Sequence, residues 1–177
     1  MIELRAESSD VWYAADPGAR IGPAEIAFLK GAAAASPRLR SRICLHADPD
    51  APLHEMVIVH HRSCYVRPHR HPAKPESLTV IEGSATGLYF DAQGEIVTLL
   101  SLAPSAVSIW RIPQNAWHGL VIASEWFVFY EVSSGPFVPG VSEFPAWAPH
   151  EREDSARAYA EAIRDRCVSA PVVERRT

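Results

Sequence analysis

The chain is poor in cysteine, and its three cysteines form no recognisable pattern. Cys44, Cys64 and Cys167 are well separated, and no two of them make a CxxC pair. An odd number of isolated cysteines is typical of free thiols in a reducing compartment and not of a disulfide framework. We therefore predict a cytoplasmic protein that folds without disulfide bonds.

Long hydrophobic runs and basic stretches are also absent from the sequence. No run approaches the roughly 18 apolar residues that cross a bilayer, and the opening MIELRAESSD lacks the apolar core of a signal peptide. The formal net charge is −4, and the pI is about 6.0. The basic cluster of Arg38, Arg40 and Arg42 is too short to indicate a DNA-binding surface. We expect neither a membrane nor a nucleic acid as a partner.

The length of 177 residues is that of one domain, and the chain divides into three parts. Residues 1–38 are an N-terminal extension with a short helix expected over 22–36. Residues 39–150 are rich in β-forming runs and make up the barrel. Residues 151–177 contain a second short helix, over 154–167, and a tail that we expect to fray. The apolar stripe of this helix consists of Ala156, Tyr159, Ala160, Ile163 and Cys167.

The character of the sequence changes at Leu39. Residues 1–20 have no clear period, whereas short β-rich runs with turn signals between them follow Leu39. Many short strands without intervening helices are typical of an all-β sandwich or barrel. The predicted strands are 53–61, 65–70, 77–82, 85–90, 96–102, 107–111, 117–122 and 126–132.

The last of these runs, WFVFYEV at 126–132, is nearly all apolar, so both of its faces should be buried. One face would pack inside the barrel. The other would be covered either by a second subunit or by the terminal segments of the same chain, and the sequence leaves both alternatives open. A Pro/Gly-rich loop with bulky side chains follows over 133–151.

The pattern with the most chemical content is PHRHPAKPESLTVIEG, residues 68–83. His69 and His71 lie two apart, so on an extended chain both side chains point to the same face. The prolines that follow favour a turn, which would return Glu76 to the histidines. His118 opens a later strand. Three imidazoles and one carboxylate suit a divalent Fe, Mn, Ni, Cu or Zn ion, although two histidines in an HxH pair alone are more often structural.

This pattern resembles the cupin superfamily. The spacing H-x-H-x4-E-x6-G of its first motif is matched in full from His69 to Gly83, and its second motif is matched at Pro113 and His118. The resemblance implies a single cupin, that is, a double-stranded β-helix or jelly-roll barrel, here with short N-terminal and C-terminal helices. It also implies one bound metal ion, for which Fe(II) is favoured by analogy with many cupins.

A narrower resemblance covers most of residues 36–151. The segments SPRLRSRICLH, YVRPHRHPAKPES, LYFDAQGEI, FYEVSSGPFVP and FPAWAPHE are similar to the WbuC family of cupin-fold metalloproteins. Members of that family are often encoded beside genes for surface-polysaccharide synthesis. The resemblance therefore implies a role in polysaccharide biosynthesis and leaves the reaction undefined.

Several further residues are candidates for contacts with a substrate. Alternation from His69 places Tyr65 and Arg67 on the same inward face, unless Pro68 introduces a bulge. We predict catalytic roles for Glu76 and Tyr65, either of which could move a proton. Each remaining candidate also has a structural interpretation, namely a surface position, a solvated turn or an ion pair. The predicted substrate-binding residues are Arg40, His46, Arg67, Lys74 and Glu131.

Two functions follow from these predictions. The first is a metal-dependent enzyme for a small polar metabolite or sugar precursor, working by oxidative chemistry or by metal-assisted isomerisation or epimerisation. The alternative is a non-catalytic cupin that binds a sugar or metabolite. In both cases we expect a small-molecule ligand and a homodimer.

Overall fold

The computed structural model describes residues 1–169. Within this range the chain forms ten strands and two helices, with short turns between most of them. The strands are β1 (Leu4–Ala6), β2 (Val11–Ala14), β3 (Arg40–Cys44), β4 (Leu53–His61), β5 (Glu76–Glu82), β6 (Ala85–Phe90), β7 (Ile96–Leu102), β8 (Ile109–Ile112), β9 (Trp117–Ile122) and β10 (Trp126–Ser134), and the helices are α1 (Pro23–Ala35) and α2 (Ser155–Ser169).

The strands form two sheets that face each other. One sheet has the strand order β1-β2-β3-β4-β10-β5-β8, and the other has the order β7-β6-β9. Neighbouring strands are antiparallel except β2 and β3, which run parallel. Large side chains from both sheets, among them Phe127, Phe129, Leu102 and Ile122, are fully buried between them. This arrangement confirms the predicted all-β barrel with two short helices.

Helix α1 covers the outer face of the larger sheet. Its Leu29 and Ala33 are completely buried against Val57, Val59 and Val128 of β4 and β10. Strand β10 is therefore buried on both faces, with Phe127 and Phe129 inward and Val128 outward. Of the two alternatives for the run at 126–132, the structure contains the one in which a terminal segment of the same chain covers the outer face.

Helix α2 covers the smaller sheet. Ile163 is buried beside Leu88, Phe90 and Leu99, and the other large members of the predicted apolar stripe pack around it. Arg164 fixes the helix further by donating hydrogen bonds of 2.7 Å to the carbonyls of Ile122 and Arg62. Neither α1 nor α2 is long and apolar enough to cross a membrane. The tail predicted to fray lies outside the described residues.

The strand predictions differ from the structure in three places. Residues 1–20, expected to be irregular, contain β1 and β2, and β2 pairs with β3, which was also not predicted. Strands of 3, 4 and 5 residues are too short to show a hydrophobic period. The predicted strand 65–70 is reduced to isolated bridges at His69 and Arg70, because Pro68 has no N–H to donate to a ladder.

We predict that Leu29→Ala destabilises the protein by about 2–5 kcal/mol, since it leaves a cavity between α1 and the sheet. The measurement is denaturant unfolding followed by circular dichroism. The matched control is Leu53→Ala on β4, because Leu53 is 48% exposed and its loss should cost less than about 0.5 kcal/mol. Equal effects of the two substitutions would contradict the docking of α1.

Candidate metal centre

The backbone brings two of the predicted ligands together. The N–H of His69 donates to the carbonyl of His118 at 3.0 Å, and the N–H of His118 donates back to His69 at 2.9 Å. On the other side, Arg70 and Glu143 exchange two backbone hydrogen bonds of 3.0 Å. The short segment at 69–70 is thus held between β9 and the loop after β10, although it belongs to no strand.

The other two ligands are placed by a turn and a strand. The carbonyl of His71 accepts a 2.8 Å hydrogen bond from the N–H of Asn115, which has a φ of 65°. Glu76 opens β5, where it lies between Ile112 of β8 and Ser133 of β10. The turn that contains the two prolines therefore returns the carboxylate to the imidazoles, as the sequence predicts.

The four side chains converge on one point. The ligand atoms of His69, His71, Glu76 and His118 all lie within 4.8 Å of one another, in an arrangement that could hold a metal ion. The Nε2 atom of His71 lies 3.0 Å from Oε1 of Glu76, and Nε2 of His118 lies 3.6 Å from Oε2. Glu76 and His118 are buried, with 7% and 4% of their surface exposed.

Hydrogen bonds at the outer nitrogens fix the direction of the imidazoles. Nδ1 of His69 lies 2.9 Å from the carbonyl oxygen of Arg67, and Nδ1 of His118 lies 2.9 Å from that of Ala116. Because a carbonyl oxygen can only accept, each of these Nδ1 atoms carries the proton and each Nε2 keeps its lone pair. Nδ1 of His71 lies 3.0 Å from the hydroxyl oxygen of Ser142.

One unpartnered atom indicates that the cluster fits a cation. Nε2 of His71 is buried without a hydrogen-bond partner, because its contact with Glu76 lacks the alignment of a hydrogen bond. A buried polar atom without a partner is costly. A divalent ion bound by three Nε2 lone pairs and one carboxylate would remove this cost, and this donor set suits borderline first-row metals.

The electrostatics favour the protonation states that a metal needs. Burial lowers the pKa of His69 to about 3, with a further contribution from the neighbouring His118, so this imidazole is neutral. Burial alone would raise the pKa of Glu76, but its contacts with His118 and His71 outweigh that effect and lower it. Neutral imidazoles and an ionised carboxylate are the forms that bind metals.

The cluster lies in the wall between two cavities. An inner cavity of about 220 Å³ extends into the barrel, and an outer, mouth cavity of about 620 Å³ opens toward the loop after β10. His69, Glu76 and Glu131 line both cavities. A ligand in either space would therefore reach the same group of side chains.

Tyr65 and Arg67 do not point along the expected direction. The Tyr65 hydroxyl donates to the carbonyl of Pro149 at 3.1 Å, and the Arg67 guanidinium donates to Ala148 and Pro145 at 3.1 and 3.2 Å. Alternation from His69 fails here because the chain before Pro68 is not in a strand. Both side chains contact the loop at 145–149, and neither lines the inner or the mouth cavity.

Arg40 and Lys74 each line one of the cavities. Arg40 lines the inner cavity and forms a 3.1 Å ion pair with Glu151. Lys74 lines the mouth cavity and donates a 3.0 Å hydrogen bond to the hydroxyl of Ser133. The two cations therefore stand on different sides of the ligand cluster.

His46 and Glu131 also reach these spaces. His46 lines the mouth cavity, where its ring stacks on that of His54 at a centroid distance of 4.2 Å. Burial lowers the pKa of His46. Glu131 lines both cavities, and burial, together with the nearby Glu76, raises its pKa to about 8. The substrate-binding roles of all the predicted residues stay predictions.

Sequence reasoning missed several residues of the site. Ser142, which fixes His71, lies 71 positions away in the chain, and no periodic signal connects the two. His60 faces inward and lines the inner cavity, and its Nδ1 is buried without a partner. Alternation with Met56 and Ile58 on β4 could have identified it. Arg42, noted only as part of a basic cluster, lines both cavities.

Comparisons with known proteins agree on the fold. CapF from Staphylococcus aureus, a capsular polysaccharide assembling protein, matches 62% of this chain with 32% of its own length, at 17% identity and a TM-score of 0.52. A cupin 2 conserved barrel domain protein from Rhodopseudomonas palustris matches 71% of this chain and 77% of its own, at 19% identity and a TM-score of 0.48. KdgF from a Halomonas species matches 59% and 84%, at 20% identity and a TM-score of 0.45.

The sequence comparisons are less informative. A family described as a domain of unknown function, DUF6016, matches residues 21–102. No curated protein matches the chain. The sheet topology and the CapF match confirm the predicted single cupin barrel, and the narrower WbuC resemblance stays a prediction.

We predict that His71→Ala lowers the metal content of the purified protein at least about tenfold, because it removes one of four ligands. The measurement is elemental analysis by mass spectrometry. The matched control is His150→Ala, since His150 is exposed and outside the cluster. Equal metal contents in the two variants would contradict the assignment of the ligands.

A second prediction concerns the hydroxyl that fixes His71. Ser142→Ala should weaken metal affinity by about 10–100-fold, the usual effect of losing a hydrogen bond to a metal-binding histidine. Competition with a chromophoric chelator measures the affinity. Ser142→Thr, which keeps the hydroxyl, should restore it, and Ser105→Ala on an exposed turn should have no effect. An unchanged affinity in Ser142→Ala would show that this contact does not orient the ligand.

Proposed function

We propose that this chain is a mononuclear metal-dependent cupin enzyme that acts on a small, anionic, polar metabolite or sugar precursor. The observation that carries the proposal is the convergence of three imidazoles and one carboxylate in the wall between two cavities. A bound divalent ion would supply Lewis-acid or redox chemistry there. Fe(II) is the favoured ion, and the same ligands suit Mn, Ni, Zn or Cu.

The charges around the cluster support an anionic substrate. Arg42 lines both cavities and forms no salt bridge among residues 1–169, and Lys74 is held in the mouth cavity by Ser133. A carboxylate or phosphate in the mouth cavity would meet both cations, and such pairs are strengthened by partial burial. These two side chains would orient the substrate toward the metal ligands.

The remaining candidates take supporting roles in this proposal. Glu131 faces the substrate from β10, between the two cavities. Tyr65 and Arg67 act as positioning residues that hold the loop at 145–149 against the barrel. Proton transfer is then assigned to Glu76 and to solvent at the centre, in place of the Tyr65 hydroxyl.

A surface-polysaccharide precursor is the proposed substrate class. The WbuC resemblance implies this class, and CapF is itself described as a capsular polysaccharide assembling protein. Either an oxidation that consumes dioxygen or an isomerisation or epimerisation would fit the ligand set. A homodimer in the cytoplasm remains part of the proposal.

A non-catalytic metabolite-binding cupin is the second candidate function. It is favoured by the position of Tyr65, the residue predicted to exchange protons, outside both cavities. In such a protein the metal and the cations would bind the ligand without converting it.

Incubation of the metal-loaded protein with a panel of nucleotide sugars and small organic acids should produce turnover of at least one compound. Proton NMR detects the product, and an oxygen electrode separates oxidation from isomerisation. His118→Ala should reduce the rate at least roughly 100-fold by removing a ligand, whereas His150→Ala should not change it. Saturable binding of a compound without any product would favour the binding protein over the enzyme.

A further inference from the structure

The loop that borders the mouth cavity exposes an unusual amount of apolar surface. We name residues 135–144 the mouth segment. Phe137, Val138, Val141 and Phe144 are 53%, 52%, 37% and 51% exposed. The first three of them line the mouth cavity. Clustered apolar exposure at the rim of a cavity is typical of a surface that a ligand or a partner covers.

The exposure of these side chains does not come from a frayed backbone. At one end of the mouth segment, Gly135 and Phe137 donate backbone hydrogen bonds of 2.9 and 2.7 Å to the carbonyls of Pro52 and Pro49. A Cβ on Gly135 would lie 1.9 Å from the carbonyl oxygen of Ala51, so the two backbones are in close contact. The apolar side chains are therefore presented from an anchored backbone.

The other end of the mouth segment is joined to the ligand cluster. Glu143 pairs with Arg70 through two backbone hydrogen bonds and a side-chain ion pair of 2.5 Å. Ser142 contacts His71 through its hydroxyl. The apolar rim and the metal ligands thus belong to one continuous, fixed wall.

The mouth cavity is consequently amphipathic. His69, His71 and Glu76 line it together with the cations Arg42 and Lys74, and Phe137, Val138 and Val141 complete its lining toward the mouth segment. A volume of about 620 Å³ accommodates a small molecule that reaches both kinds of surface.

We infer that the substrate of this site is itself amphipathic. It combines an anionic, metal-chelating head, held by Arg42 and Lys74, with an aryl or branched alkyl group that packs on Phe137, Val138 and Val141. This inference rests on the proposed function and narrows its substrate class. A purely polar substrate would leave the apolar rim in water, and a second copy of the chain is the competing occupant.

Two hydroxamates with the same chelating head test this inference. Acetohydroxamate carries only a methyl group, whereas benzohydroxamate carries a phenyl ring. Calorimetric titration of the metal-loaded protein should give an affinity for benzohydroxamate about tenfold higher, the lower end of the effect of an apolar group in a hydrophobic pocket. The double substitution Phe137→Ser, Val138→Ser should reduce this preference to less than about threefold and leave acetohydroxamate binding unchanged.

The control for the double variant is Val97→Ser, because Val97 is 48% exposed on β7 and does not line the mouth cavity. It should keep the full preference for benzohydroxamate. A preference that survives in the double variant would overturn the inference while the proposed function stands. If the metal-loaded protein binds neither hydroxamate, the accessible metal position of the proposed function fails, and the inference fails with it.

Size-exclusion chromatography of the same variants addresses the competing occupant. The proposal expects the double variant and the unaltered protein to elute with the same apparent mass. A shift from dimer to monomer on substitution of Phe137 and Val138 would mean that a second copy covers the rim, and would overturn the inference.

Discussion

The site depends on the pair of backbone hydrogen bonds between His69 and His118. This exchange, at 3.0 and 2.9 Å, joins a segment that belongs to no strand to the beginning of β9. It sets two imidazoles side by side, with ring centroids 4.3 Å apart. Their Nδ1 atoms are then committed to carbonyl oxygens, which leaves both Nε2 lone pairs for the centre. A fold that lost this pairing would scatter the ligands.

The price of this arrangement is a group of buried polar atoms that the protein alone does not satisfy. Nε2 of His71 has no hydrogen-bond partner, and His69 is held neutral by burial. Such atoms lower the stability of the folded chain unless something binds them. Since a cation binds only the folded arrangement, metal binding and stability should be linked. The cluster is thus better explained as a binding site than as a feature of core packing.

The sequence predicted what depends on local spacing and failed where the determinants are distant. His69, His71 and Glu76 were found because extended alternation and two prolines act within eight residues, and the cupin motif added His118. Tyr65 was placed incorrectly because Pro68 ends the regular backbone. The strands at Leu4–Ala6 and Val11–Ala14 are too short for a period, and Ser142 reaches His71 only through the folded chain.

The fold separates the parts of the site by their rigidity. The ligands and the larger cations come from the barrel and its adjoining turn, whereas the apolar rim comes from the mouth segment, which is a loop. Loops tolerate sequence change better than strands, so they commonly carry specificity while the sheet preserves the chemistry. Here the loop also holds His71 through Ser142. Any ligand that packs on Phe137 and Val138 therefore presses on the same segment that orients a metal ligand, which couples recognition of the substrate to the geometry of the centre.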